Sequence, residues 1–154
     1  LRTISPWQMA WENGCYYLIA YQDEKEPVGI RHYRVDRMAG IRVLDEPRRG
    51  KEAFAGFDLP AYLKKHFQMF TGPEHQVTLR CTADLEPAMR ERFGREPIFL
   101  PEEDAHFHFD VPICVSEQFF GWVCGFGGKV EVTAPAGVKQ QLHEMTLQIA
   151  AAHE

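Results

Sequence analysis

Apolar and polar positions alternate with a period of two through the opening third of the chain, and three- and four-residue spacings join them further on. Thr3 to Trp11 predicts a first strand, with Pro6 confining it to a sheet edge or a bulge. Asn13-Gly14 is a strong hairpin turn, and Cys15 to Tyr21 follows as a second strand. There Cys15, Tyr17, Ile19 and Tyr21 share one face, and Tyr16, Leu18 and Ala20 the other. The polar loop Gln22 to Gly29 leads to a third run, in which Arg31, Tyr33, Val35 and Arg37 alternate with Ile30, His32, Arg34 and Asp36. Ile41, Val43 and Leu44 predict one more strand before Pro47-Arg48-Arg49-Gly50. Asp58 is a suitable N-cap for a helix from Leu59 to Phe67, with Pro60 in its first turn.

Beyond Thr71-Gly72-Pro73, the best candidate for a linker, the pattern becomes mixed. A strand over His75 to Cys81 precedes a helix from Leu85 to Phe93, capped by Asp84 and ended by Gly94. A short strand at Pro97 to Leu100 and a longer one from Asp104 to Val115 follow. Ser116 caps an aromatic helix, Lys129 to Thr133 is a strand, and Pro135 opens a closing helix with Val138, Leu142, Met145 and Ile149 on one face. The expectation is an α+β chain in two parts. Residues 1–70 form short antiparallel strands plus a helix, suited to a small barrel, and residues 74–154 form a ferredoxin-like β-α-β-β-α-β unit with an extra helix.

Composition narrows the functional classes. At 45% apolar and 25% charged residues the chain resembles a soluble globular protein, and no apolar run approaches the ~20 residues of a membrane span. Cys15, Cys81, Cys114 and Cys124 are widely spaced, with no CxxC pair, as expected of reduced thiols in a cytoplasmic protein. No signal peptide is visible, and the start at Leu1 suggests a fragment whose N-terminal part is missing. The net charge of −5 hides a polarity. Arg31 to Lys51 holds seven basic and three acidic residues, a net +4, whereas Phe99 to Glu154 holds two basic and eight acidic ones, a net −6. A local basic patch is what attracts a polyanion.

Arginines on both faces of one strand-like run must either pair with acids or meet an anionic ligand, because a buried lone charge is costly. Single strands of nucleic acid are held by cations along the phosphates and by aromatic faces under the bases. On that chemistry Arg31, Arg34 and Arg37 are the phosphate candidates, Trp11, Tyr16, Tyr17 and Tyr33 the stacking candidates, and His32 a polar contact. Asp104, His106, His108 and Asp110 alternate as metal ligands can, yet a solvated face opposite Phe107 and Phe109 explains them more simply. Ser116 is better explained as a cap than as a nucleophile, and Gly125-Phe126-Gly127-Gly128 precedes a strand instead of opening a helix, so it makes a poor phosphate cradle. No catalytic constellation, cofactor or metal site follows from the sequence.

The run Tyr16-Tyr17-Leu18-Ile19-Ala20-Tyr21, followed by Arg31-His32-Tyr33-Arg34-Val35-Asp36-Arg37-Met38, resembles the signature of the WYL domain, a bacterial regulatory module. Tyr16 stands where the family has the tryptophan of its naming triplet, and Pro6-Trp7 and Trp11 fit its first strand. Trp122 to Val132, leading into Pro135, is similar to WCX, the C-terminal extension of such domains. The resemblance implies an SH3-like or Sm-like barrel joined to a ferredoxin-like extension, behind an N-terminal helix-turn-helix that would read operator DNA. It also implies a cytoplasmic homodimer that senses an effector such as single-stranded DNA or RNA or a nucleotide. The alternative is a dimerisation module without a nucleotide ligand, its basic hairpin meeting a neighbour's acidic half.

Overall fold

A computed structural model describes residues 1–154. They form two compact units, Leu1–Leu63 and Lys64–Glu154. In the first, β1 (Ser5–Glu12), β2 (Cys15–Gln22) and β3 (Gly29–Arg34) make an antiparallel sheet in the order β1-β2-β3. Asn13 and Gly14 take positive φ values of 48° and 76°, the geometry a two-residue hairpin turn requires and Asn-Gly tolerates best. Pro6 lies on an edge strand, and the register slips between Pro6 and Gln8, so Trp7 is the extra residue of a bulge. Helix α1 (Leu59–Lys65) starts where Asp58 accepts the Ala61 N–H at 3.2 Å.

Two expectations for this unit fail. Residues 41–44 form no strand, and three strands do not close a barrel. The β-branched composition of Ile41 and Val43 fits a strand, but strand propensity is realised only against a pairing edge, and this segment meets none. Chain connection across the sheet is instead made by side chains: Trp7 Nε1 donates to the Arg49 carbonyl at 2.8 Å, and the Arg49 N–H donates to Ser5 Oγ at 2.8 Å.

In the second unit, β4 (Glu74–Thr82), β5 (Leu100–Pro101), β6 (His106–Cys114) and β7 (Val130–Ala134) form an antiparallel sheet in the order β5-β6-β4-β7. Helix α2 (Glu86–Phe93) connects β4 to β5, α3 (Glu117–Cys124) connects β6 to β7, and α4 (Ala136–Ala151) follows. Strict alternation puts Val77, Leu79 and Cys81 of β4 and Phe107, Phe109, Val111 and Ile113 of β6 into the core. Phe109 is fully buried, its ring 5.4 Å from Phe93 and 4.6 Å from Phe99. Ser116 caps α3 as expected, accepting the Phe119 N–H at 3.3 Å. Asp84 does not cap α2; Lys129 donates to its carboxylate at 2.8 Å, and Leu85 stands at the N-cap without a side-chain bond. Residues 71–73 lie inside this unit, where the Val115 N–H donates to the Pro73 carbonyl at 3.0 Å.

Candidate nucleic-acid interface

Strand register decides which predicted residues stand together, because residues directly opposite in a sheet share a face. Trp11 pairs with Tyr16, Met9 with Leu18, Leu18 in turn with Tyr33, and Ala20 with Arg31. One face of the first sheet therefore carries Met9, Trp11, Tyr16, Leu18, Ala20, Gln22, Arg31 and Tyr33. Trp11 and Tyr16 are 59% and 52% exposed, and their rings meet edge to face with centroids 4.6 Å apart. A free indole beside a free phenol is a platform, since aromatics of this size are ordinarily covered. Tyr33 donates its hydroxyl to Gln22 Oε1 at 2.7 Å, and Gln22 Nε2 donates to the Lys25 carbonyl at 2.9 Å, so the loop after β2 fixes the Tyr33 ring.

Arg31 belongs to this face, and its Nε and Nη2 both donate to the Pro27 carbonyl, at 3.1 and 2.6 Å. A carbonyl orients a guanidinium without cancelling its charge. Arg31 has no ion pair, and none of the strand positions on its face is acidic. Arg2 stands 6.0 Å from the Tyr33 ring, adding a second cation that the sequence reading left out.

The other predicted residues lie elsewhere. Tyr17, His32 and Arg34 point to the opposite face, where Ala10 pairs with Tyr17 and Tyr17 with Arg34. Arg34 makes a bidentate pair with Asp36, at 3.1 and 2.7 Å, which holds the Asp36 carboxyl below its usual range. His32 Nε2 is hydrogen-bonded to the Tyr62 hydroxyl at 2.8 Å. Arg37 ends the single turn Val35–Arg37 beyond β3 and is exposed without an ion pair. The sheet thus gathers Trp11, Tyr16, Tyr33 and Arg31, and separates them from Tyr17, His32, Arg34 and Arg37.

This second face is the covered one. Ile19 is fully buried there, and an aromatic series runs from Trp7 to Phe54 (5.3 Å, stacked), Phe57 (4.9 Å) and Tyr62 (4.8 Å). The Arg48 guanidinium lies 4.3 Å from the Trp7 ring and donates to the Pro6 carbonyl at 3.1 Å. Two aromatic-rich surfaces therefore have different jobs: one packs the unit, and the other is open at Met9, Trp11 and Tyr16 while Ala20 and Gln22 on the same face are buried.

The histidines of β6 are committed to an ion network on the polar face of the second sheet. Arg80 contacts Glu102 at 2.8 Å, Asp104 at 2.6 Å and Glu131 at 3.5 Å, while His108 Nδ1 meets Glu102 at 2.8 Å and His106 Nδ1 meets Asp104 at 3.2 Å. Asp110 instead accepts from the Thr78 hydroxyl at 2.5 Å.

Two family models match the chain, at separate stretches. A model of the WYL domain matches residues 1–43, and a model of the WCX domain matches residues 73–150. No curated protein matches the chain. Among solved structures, proteasome accessory factor B/C (PafBC) of Arthrobacter aurescens is 22% identical, with 92% of this chain and 21% of that one covered at a TM-score of 0.41. A CRISPR Cas-related protein is 16% identical, with 96% and 42% covered at a TM-score of 0.50. The chain spans about a fifth of the first and less than half of the second.

Proposed function

The chain belongs to the WCX domain family, with a WYL domain ahead of it, and from that premise we propose that it is the effector-sensing region of a transcriptional regulator. Its effector is a single-stranded nucleic acid or a nucleotide, and it governs a DNA-reading segment elsewhere in the same protein. The observation that carries this reading is the open face of the β1-β2-β3 sheet, where the exposed Trp11–Tyr16 pair shares a surface with an Arg31 that has no ion pair. A base stacks on the indole or phenol while a phosphate meets the guanidinium, the two contacts that single-strand binding uses everywhere. The second unit carries no such platform on its open face, where Arg80 is enclosed by carboxylates. Its strand order β5-β6-β4-β7 with two crossing helices supports a ferredoxin-like scaffold.

Fluorescence anisotropy with labelled single-stranded oligonucleotides tests the proposal. Arg31→Ala weakens binding and lowers the slope of log affinity against log salt by ~0.7, the value for one phosphate on a single strand. Binding that is absent at low salt, or indifferent to Arg31→Ala, refutes it.

A further inference from the structure

Gln22 is 3% exposed and is the one buried polar side chain of the first unit, whose other buried residues are Ala10, Ile19 and Ala20. A polar group out of water is costly unless its hydrogen-bonding atoms are matched. Here both ends of the amide are taken, Oε1 by the Tyr33 hydroxyl at 2.7 Å and Nε2 by the Lys25 carbonyl at 2.9 Å. Its orientation is forced, because a carbonyl only accepts and so must face the NH2 end. A methionine has similar volume and nothing polar to satisfy, so filling space does not account for an amide at this position.

What the amide holds is a loop. Residues 23–28, between β2 and β3, are all exposed. Asp23 meets Arg49 at 3.2 Å, the Glu26 carboxylate accepts the Val28 N–H at 3.2 Å, and the Pro27 carbonyl accepts from Arg31, all in contact with water. The bond from Gln22 to Lys25 is the part-buried one, and a hydrogen bond away from water holds its partners more firmly.

Arg31 stands at the far end of this chain of contacts. Nε and Nη2 donate to the Pro27 carbonyl, and Nη1 donates to the Ile30 carbonyl at 3.4 Å. Three of its five N–H groups are thus spent on the protein's own backbone, and one remains on each terminal nitrogen, enough for a two-point grip on a phosphate. An arginine already held gives up less rotamer freedom on binding than a loose one.

We propose that Gln22 is the positioning residue of the ligand face: its buried amide fixes residues 25–27 through the Lys25 carbonyl, so that the Pro27 carbonyl holds Arg31 aimed before a ligand arrives. The phosphate in this scheme rests on the effector reading above, whereas the hold of Gln22 on Arg31 belongs to the unliganded protein.

Two measurements on the whole chain test it. In nitrogen-15 spectra of the unliganded protein, the Arg31 Nε–H gives a slowly exchanging resonance, assigned by its loss in Arg31→Lys. In folded Gln22→Met that resonance broadens or moves to the position of exposed arginines. In anisotropy with a labelled single strand, Gln22→Met weakens binding about five- to tenfold and lowers the salt slope toward that of Arg31→Ala. Combined with Arg31→Ala, it adds less than its full loss. Tyr33→Phe, which keeps the ring and removes the hydroxyl that braces the amide, moves the Arg31 resonance in the same direction and carries the test should Gln22→Met not fold. An Arg31 resonance unmoved in the folded variants, or binding losses at Gln22 and Arg31 that add in full, overturns the positioning role. Strands that bind no variant, wild type included, refute the effector reading, and the resonance still decides whether Gln22 holds Arg31.

Discussion

Replacing Trp11 by Ala separates ligand binding from folding, because the indole is more than half exposed and its main intramolecular contact is the edge-to-face pair with Tyr16. Cross-strand aromatic pairs contribute ~0.2–1 kcal/mol, which in a unit of this size lowers the melting temperature by at most about 4–8 °C. The loss in binding is larger. One base stacked on the indole is worth ~1–3 kcal/mol, or about five- to 150-fold in dissociation constant. Trp11→Phe, which retains a smaller ring, recovers part of that loss, whereas Tyr17→Phe on the opposite face leaves affinity unchanged. The assay is anisotropy with a short labelled single strand, paired with a thermal melt of each variant. A folded Trp11→Ala protein that binds as tightly as the wild type refutes the stacking role, and equal losses at Trp11 and Tyr17 would show that the open face is not the site.

Other outcomes follow from single contacts. The hydrogen bond from Arg80, and after it the one from His108, hold the Glu102 carboxyl below its ordinary range. A depressed folded-state value stabilises the fold above the unfolded value of ~4.3 and is lost as pH falls through the folded one. Urea midpoints measured from neutral pH into that acid range therefore decline, and Arg80→Met flattens this group's share of the decline. Burial, and then the charge of Glu131, push the Cys81 thiol up to about 12, so a thiol reagent at mildly alkaline pH labels exposed Cys124 first and reaches Cys81 only on unfolding. Gly50 has φ +79° and packs its backbone on the Tyr21 ring, leaving no room for a methyl group. Gly50→Ala accordingly destabilises by roughly 2–4 kcal/mol in a denaturant titration, from left-handed strain and overpacking together.

What the sequence made legible was local. Asn13-Gly14 and the period-two alternation on either side fixed the hairpin and its faces, and the alternation of His106 and His108 with Phe107 and Phe109 fixed the inner and outer faces of β6. The pattern of Arg31 against Arg34 already placed them on opposite faces; it could not say that Asp36, two residues on, would occupy Arg34. Distant links left no local trace. Trp7 reaches the Arg49 carbonyl and Arg48 across more than forty residues, and Asp84 is drawn to Lys129 instead of its own helix. The missing strand at 41–44 has the same origin, since residue preference describes a surface to be paired and only the fold supplies the pair.

An anionic ligand on a chain of net charge −5 is consistent once the charges are placed instead of summed. The first unit alone holds nine basic and nine acidic residues. Several cancel in place: Arg34 with Asp36, and Arg49 with Asp23 and Glu46. Strand alternation leaves the open face with Arg31, with Arg2 near Tyr33, and with no carboxylate among its strand positions. Screening confines the field felt by a bound phosphate to about 8–10 Å, so these two cations outweigh the chain total. The same count bounds the salt dependence: one or two phosphates give a slope of about −0.7 to −1.4 for a single strand, shallow beside that of a dedicated basic groove. A slope near −3 or steeper would require Arg37, Arg42 and Arg48 to take part as well, and would move the phosphate path off the sheet face and onto the segment that follows β3.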